Sequence, residues 1–182
     1  MRSGSLLPRA TAGDVMIAVD WVSRQSWVAP GKAGLFGISF GAATIMDAFV
    51  LDAPGKMPTS LSQKPPGGLK TVKGAAMLSP WCASDVMGFN LIKAVHEDFS
   101  RKVPILAILP GSDSVSDQAL CQSILGRHKA KGQDITIVPV SGAGHTFAQE
   151  NDDYGDQFED YDAAEAKKAW GRIYAFFKKR LG

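Results

Sequence analysis

A pentapeptide, Gly37-x-Ser39-x-Gly41, has the residue types of a nucleophile elbow. In such an elbow, a tight turn between a strand and a helix exposes a nucleophilic side chain, and small neighbours let the strand and the helix pass closely. An apolar run precedes the serine, and a mostly apolar run, 42–51, follows it. The pattern predicts that Ser39 is a nucleophile; the alternative is that the two glycines only form a tight turn.

A carboxylate and an imidazole follow later strand-like runs. Asp113 comes shortly after the apolar run 103–109, and His145 comes after the run 135–140 and four small residues. Because the carboxyl ends of parallel strands meet at one edge of a sheet, we expect Ser39 to lie near both. The serine would attack, the histidine would take and return its proton, and the aspartate would fix the imidazole tautomer and stabilise the imidazolium.

Other side chains compete for these roles. Asp117 follows a serine and suits the first turn of a helix, where a carboxylate is favoured by the helix dipole. Asp85, in the loop after the preceding strand, is the reserve acid. His96 and His128 lie inside helix-like stretches, which leaves His145 the best-placed base.

The elements that must position these side chains alternate between helix and strand. The strand-like runs are apolar almost throughout, which is typical of parallel strands covered on both faces by helices. The sequence therefore predicts one α/β domain over 1–182, a mainly parallel sheet flanked by helices, with 1–13 irregular and a long Pro- and Gly-rich loop at 52–73. Strands are predicted at 33–38, 74–78, 103–109 and 135–140, and helices at 40–51, 116–131, 163–181 and from a cap at Thr11 or Asp14 to about 26.

Composition limits the classes of function. A hydrophobic content of 45% and a charged content of 21% are those of a soluble globular protein. The net charge of +2 gives no reason to expect nucleic acid or a membrane as a partner, and the glycine-rich runs lack the Lys-Ser/Thr of a phosphate loop. Cys82 and Cys121 have no metal-like spacing, so we expect no metal, free buried thiols and a cytoplasmic location.

Three segments together resemble the dienelactone hydrolase family of α/β-hydrolases: 37–42, 104–113 and 142–147. The order Ser, Asp, His is the one that α/β-hydrolases use. The tail 161–177 is similar to that family's last helix, and the resemblance runs from about 14 to 181. It implies hydrolysis of a small carboxylic ester or lactone through an acyl-enzyme, with neither a metal nor an organic cofactor.

The resemblance also assigns roles near the nucleophile. The residue after the nucleophile supplies one oxyanion-hole N–H in this fold, which implies that role for Phe40. Trp81 and Phe147 lie in loops near the predicted site and are candidates for substrate binding, and Phe89 is in a similar position. Aromatic residues serve a core more often, so the alternative for each is packing.

The sequence departs from the family pattern in two ways. Dienelactone hydrolases proper use cysteine as nucleophile, so Ser39 moves the expectation toward serine esterases. Only 38 residues precede Ser39, so the strands that flank the elbow in the resembling fold lack a counterpart. We therefore expect an N-terminally truncated fold with an exposed sheet edge, which favours self-association.

The missing strands would also carry the second oxyanion donor. Loss of one such donor costs about 3–4 kcal/mol of transition-state stabilisation, so weak activity is expected. Two alternative functions follow from the residues. One is a non-catalytic remnant that acts as an interaction module, and the other is a serine peptidase or acyltransferase with the same three side chains.

Overall fold

Four parallel strands form one sheet, with helices on both faces, in a computed structural model that describes residues 7–83, 91–151 and 158–182. The strands lie in the order β1-β2-β3-β4, which is also their order along the chain. Residues 52–71, in the predicted long loop, contain no helix or strand. The described elements are α1 (Pro8–Val22), β1 (Ala33–Ile38), α2 (Phe40–Leu51), β2 (Val72–Leu78), a 3-10 turn (Lys93–Val95), β3 (Ile105–Pro110), α3 (Gln118–Ala130), β4 (Ile135–Val140) and α4 (Ala163–Leu181).

Alternate residues of the inner strands pack against opposite layers of helices. In β2, Ala75 and Met77 belong to an apolar cluster with residues of α1, α2 and α3, whereas Ala76 and Leu78 belong to a cluster with residues of α4. Every residue of β3 is buried. Strands covered on both faces in this way are apolar throughout, which is the pattern read from the sequence. The prediction of a mainly parallel α/β sheet is confirmed.

The register of the sheet aligns the carboxyl ends of its strands. Ile38 pairs with Leu78, Leu78 with Ile108, and Ile108 with Val138. The loops that follow the four strands therefore leave from the same edge of the sheet. In open parallel sheets, this edge is where binding and catalytic sites form.

The first helix differs from its predicted bounds. It begins at Pro8 and ends at Val22, whereas the sequence pattern predicts irregular chain through 13 and a helix to about 26. Proline suits a first turn because its fixed φ is helical and its missing N–H would have no partner there. Thr11 is inside the helix instead of capping it, and its hydroxyl is hydrogen-bonded to that of Thr44 at 2.8 Å.

Cys82 and Cys121 form a disulfide bond, with their Cα atoms 5.4 Å apart. The expectation of free thiols is therefore wrong. The two cysteines are 39 residues apart in the sequence, and no local pattern indicates their pairing. The argument from free thiols to a cytoplasmic location falls with that expectation. Among the described residues, no helix combines the length and the apolar character that crossing a bilayer requires.

β1 is one of the two outer strands of the sheet that the structure describes. Its Phe36 side chain is 40% exposed, and Trp170 of α4 packs against it with ring centroids 5.4 Å apart. An outer strand with exposed apolar side chains is a surface on which another chain can pair. Self-association through β1 stays a prediction.

The turn between β1 and α2 is strained and tightly packed. Ser39 has a φ of +50° and a ψ of −119°, in a region that residues with side chains rarely adopt. A Cβ on Gly37 would lie 2.6 Å from the carbonyl carbon of Gly41 and 2.7 Å from the nitrogen of Ala42. A Cβ on Gly41 would meet no described heavy atom within 4 Å. Glycine is therefore required at 37, and the expectation that residue 41 must also lack bulk is wrong.

One carboxylate, that of Asp47, is fully buried in the middle of α2. The N–H of Ala94 donates to Oδ1 at 3.0 Å, whereas Oδ2 has no hydrogen-bond partner among the described residues. Burial raises the pKa of Asp47 from 3.8 to about 6, and the backbone hydrogen bonds from Lys93 and Ala94 oppose this shift. Ionised Asp47 therefore destabilises the folded state.

Replacement of Asp47 by Asn is expected to remove a pH dependence of stability. Between pH 3.8 and about 6 the folded protein keeps a proton that the unfolded chain has released, so the free energy of unfolding falls as the pH rises. A shift of this size amounts to about 3 kcal/mol. Urea unfolding of both proteins between about pH 4 and 7 measures the difference. Equal pH slopes for wild type and Asp47→Asn would contradict the assignment.

Alanine substitutions at the two elbow glycines are expected to have opposite effects. Gly37→Ala forces β1 and α2 apart because its Cβ overlaps backbone atoms, so we expect a loss of at least about 2 kcal/mol in the free energy of unfolding. Gly41→Ala adds a methyl group in open space within a helix, where alanine is favoured over glycine by about 0.5–1 kcal/mol. Thermal unfolding of both variants makes the comparison. Similar destabilisation by the two substitutions would show that the turn is not limited by space at Gly37.

Candidate active site

A continuous chain of hydrogen bonds at the carboxyl edge of the sheet links Ser39, His145 and Asp113. The Oγ of Ser39 lies 2.8 Å from Nε2 of His145, and Oδ2 of Asp113 lies 2.7 Å from Nδ1 of the same ring. The side chain of Asp113 has no exposed surface and that of His145 is 7% exposed. The structure thus brings together the three side chains that the sequence pattern selects.

The backbone of Ser39 is anchored to the neighbouring strand and its loop. Its N–H donates to the carbonyl of Leu78 at 3.1 Å, and its carbonyl accepts from the N–H of Trp81 at 3.0 Å. The same serine stands at the N-terminus of α2, where the helix dipole favours negative charge. These contacts hold Oγ outside the sheet and next to the imidazole.

Phe40 is the first residue of α2, so its N–H lacks an acceptor within the helix. Among the described residues, no backbone carbonyl accepts a hydrogen bond from it. The ring of Phe40 packs against that of Trp81, with centroids 6.0 Å apart. The N–H of Trp81, by contrast, is already occupied by the Ser39 carbonyl. The amide of Phe40, like that of Gly41, therefore has no backbone acceptor among the described residues.

The carboxylate of Asp113 accepts four hydrogen bonds. The N–H groups of Val115 and Ser116 donate to Oδ1 at 2.8 and 2.9 Å. Nε2 of Gln118 donates to Oδ2 at 2.7 Å, and Oδ2 is also the atom that faces His145. A carboxylate has about four acceptor positions, so this buried charge is fully satisfied by protein donors.

The loops that carry the acid and the histidine are bonded to each other. The N–H of Gly111 donates to the carbonyl of Val140 at 2.8 Å, and the N–H of Ser112 donates to that of Ala143 at 2.9 Å. Gly142 turns the second loop with a φ of +76°. The relative position of Asp113 and His145 is therefore set by backbone contacts as well as by their own hydrogen bond.

The side chains that competed for the roles of acid and base in the sequence have other contacts in the structure. Asp117 is the N-cap of α3, where its Oδ1 accepts from the N–H of Leu120 at 2.9 Å. His128 is buried in α3 and stacks on Phe99 with ring centroids 3.7 Å apart. Burial, together with the nearby Arg127 charge, lowers the pKa of His128 to about 4.

Two of the sequence candidates lie outside the described residues, and a third is at the end of the 3-10 turn. Asp85, the reserve acid, and Phe89 lie outside the described residues. His96 ends the 3-10 turn. The parts of the chain that the structure describes contain no group of His, Cys, Asp and Glu side chains that could hold a metal ion.

Of the two aromatic candidates for substrate binding, Phe147 is fully buried and belongs to the core beneath α4. That position gives its predicted binding role no support. Trp81 is half-buried and adjoins the nucleophile through its contact with Phe40. A groove of about 590 Å³ has Ile38, the residue before Ser39, in its wall, together with Ala148. Sequence patterns gave no signal for this groove or for Gln118.

The protein is similar in sequence to a known family and to a known protein of another organism. The sequence pattern of the dienelactone hydrolase family matches residues 65–181, a segment that includes Asp113 and His145 but not Ser39. An uncharacterised protein of Mycobacterium tuberculosis strain H37Rv is 28% identical over 134 residues, which are 74% of this chain and 45% of that protein. The chain thus spans about half the length of the curated relatives that it matches.

Solved structures share the fold at low sequence identity. A dienelactone hydrolase-like promiscuous phosphotriesterase, P91, from metagenomic libraries superposes with a TM-score of 0.65 and 16% identity, covering 96% of this chain and 62% of its own. Esterase 2 of Thermogutta terrifontis superposes with a TM-score of 0.70 and 15% identity, covering 97% of this chain and 66% of its own. The family match spans well over half of the chain, and the protein therefore belongs to the dienelactone hydrolase family.

Proposed function

We propose that the protein is a serine hydrolase that cleaves a small carboxylic ester or lactone through an acyl-enzyme. One observation carries the proposal: Ser39 Oγ, both nitrogens of His145 and the Asp113 carboxylate form one row, with contacts of 2.8 and 2.7 Å. An imidazole between a serine hydroxyl and a buried carboxylate is the arrangement that makes serine a nucleophile.

In the acylation step, Ser39 Oγ attacks the substrate carbonyl and forms a bond to its carbon while Nε2 of His145 takes the hydroxyl proton. The negative charge that develops on the carbonyl oxygen is stabilised by the N–H of Phe40 and by the N-terminal end of α2. The imidazolium then gives its proton to the leaving alcohol as the carbon–oxygen bond breaks. For a lactone, the alcohol remains part of the acyl group.

In the deacylation step, His145 removes a proton from water, and the resulting hydroxide attacks the acyl carbon. The Ser39 oxygen leaves and recovers its proton from the imidazolium, which frees the carboxylic acid. Throughout both steps Asp113 keeps Nδ1 protonated, so that Nε2 is the nitrogen that takes and returns the proton. The Phe40–Trp81 pair supplies apolar surface for a small acyl or alcohol group.

The structural neighbours support this class of substrate. Esterase 2 of Thermogutta terrifontis is described as phosphorylated by paraoxon in one structure and as bound to butyrate in another. P91 is described as a promiscuous phosphotriesterase. Organophosphates and short-chain esters are therefore suitable probes for this protein as well.

A serine peptidase or acyltransferase would use the same three side chains, so a substrate panel is needed to separate the reactions. We expect p-nitrophenyl acetate and small lactones to be hydrolysed, and the matching p-nitroanilides to remain intact. Faster release from the anilides would favour a peptidase, and transfer to an added alcohol in preference to water would favour an acyltransferase.

Ser39 is expected to react with a fluorophosphonate probe. Ser79 provides a matched control, because it follows the adjacent strand with a similar φ of +44°, yet its buried Oγ has no hydrogen-bond partner among the described residues. Mass spectrometry should find the label on Ser39 in the wild type and in Ser79→Ala, and no label in Ser39→Ala. A wild type that stays unlabelled would favour the non-catalytic interaction module.

Asp113→Asn is expected to slow ester hydrolysis by about 10³- to 10⁴-fold, because an amide no longer holds the imidazole in the productive tautomer. Asp117→Asn is the matched control, since Asn also caps a helix and residue 117 does not touch His145. The measured quantity is kcat/KM for p-nitrophenyl acetate. Equal losses in the two variants would remove Asp113 from the role of orienting acid.

A further inference from the structure

We propose that Gln118, the first residue of α3, is a positioning residue that holds the Asp113 carboxylate against His145. This inference rests on the hydrolase function proposed above. Its geometric basis is the 2.7 Å contact between Gln118 Nε2 and Asp113 Oδ2, the same oxygen that lies 2.7 Å from His145 Nδ1. Among the described residues, Gln118 has no hydrogen bond to Ser39 or to the imidazole, so it acts on His145 through Asp113.

The orientation of the Gln118 amide is fixed by its neighbours. Nε2 faces two acceptors, Asp113 Oδ2 and the carbonyl of Pro80, the latter at 3.4 Å. Rotation of the amide by 180° would place Oε1 against both of these oxygens, which is repulsive. In the observed orientation Oε1 is buried and has no hydrogen-bond partner among the described residues. An unpaired buried acceptor reduces stability, so the side chain is better suited to aligning the carboxylate than to stabilising the fold.

The backbone at Gln118 is held from both sides. The preceding residue, Asp117, donates its N–H to the carbonyl of Cys82 at 3.1 Å and caps α3 through the N–H of Leu120. Cys82 is in turn bonded to Cys121, one turn further along the same helix. The amide of Gln118 is thus presented to Asp113 from a fixed helix start and not from a free loop.

A neutral donor suits this position better than a charged one. The N–H groups of Val115 and Ser116 hold Oδ1, and Gln118 holds Oδ2, so the carboxylate cannot rotate away from His145. Because the amide carries no net charge, the full negative charge of Asp113 remains available to the imidazolium that forms during catalysis. A lysine or arginine in its place would neutralise that charge.

The test compares Gln118→Met with Gln122→Met. Methionine keeps the length of the side chain and removes the donor, and Gln122 is an exposed residue of the same helix. The rate constant for phosphonylation of Ser39 by a fluorophosphonate should fall about tenfold in Gln118→Met, as for loss of a hydrogen bond to a charged group, and stay unchanged in Gln122→Met. For p-nitrophenyl acetate, kcat should fall while KM stays constant. The reason is that Gln118 acts on His145 only through Asp113 and does not take part in binding the substrate.

Two further measurements separate alignment from general stability. The NMR resonance of the His145 Nδ1 proton should move in Gln118→Met and not in Gln122→Met, because this proton reports the hydrogen bond to Asp113. Gln118→Glu is of similar shape but brings a second carboxylate to Oδ2, and repulsion between the two negative charges should push the Asp113 carboxylate out of line with His145. We therefore expect Gln118→Glu to lower the rate constant for phosphonylation of Ser39 more than Gln118→Met does at neutral pH. The Gln118→Glu variant also tests the positioning role if Gln118→Met does not fold.

Each outcome bears on one proposal. If Gln118→Met keeps the wild-type Nδ1 resonance and the wild-type phosphonylation rate, the positioning role is wrong. If wild-type Ser39 does not react with the fluorophosphonate at all, the proposed hydrolase function fails. In that case the Nδ1 resonance of Gln118→Met against wild type still decides whether Gln118 aligns Asp113.

Discussion

The strained backbone of Ser39 is the constraint on which the rest of the site depends. A left-handed φ at a residue with a side chain costs about 1–3 kcal/mol and persists only where its surroundings hold it. Here the sheet does so, because Leu78 and Trp81 bond to the N–H and the carbonyl of Ser39. The absence of a Cβ at Gly37 lets α2 begin directly beside the strand. Without that close approach, the serine would leave the strand in an ordinary extended conformation and Oγ would not face the imidazole.

The buried charge of Asp113 imposes the second requirement, which the start of α3 meets. Four donors surround the carboxylate, and three of them come from the five residues that follow it. The hydroxyl of Ser116 also bonds to the N–H of Cys82 and the carbonyl of Pro80, in the loop that contacts Ser39. Asp113 and Ser39 are therefore held by one connected set of backbone and side-chain contacts, so a shift in either loop is transmitted to the other.

Sequence patterns predicted the sheet and the convergence of Ser39, Asp113 and His145 because both follow from local rules. Apolar runs define buried strands, and polar residues just beyond their carboxyl ends converge at one edge. The patterns failed where the determining contact is not local. The pairing of Cys82 with Cys121 and the approach of Gln118 to Asp113 depend on how α3 packs against the loop after β2. The freedom at Gly41 depends on empty space that a motif does not encode. The early start of α1 at Pro8 is a local exception, because the fixed φ of proline suits a first turn and competes with a later Thr or Asp cap.

The sheet holds the members of the site unequally. Asp113 and His145 follow β3 and β4, which pair along six residues and whose loops are bonded to each other. Ser39 follows β1, which pairs with β2 along six residues as well, but whose register shifts between Ala33 and Gly34 and which is separated from β3 by β2. Asp113 and His145 thus follow adjacent strands whose loops are bonded to each other, whereas Ser39 is placed against them through β2 and the backbone contacts of Leu78 and Trp81. Since a displacement of about 1 Å between reacting groups can lower a rate by about a hundredfold, the proposed catalysis depends on the β1–β2 pairing that sets the position of Ser39.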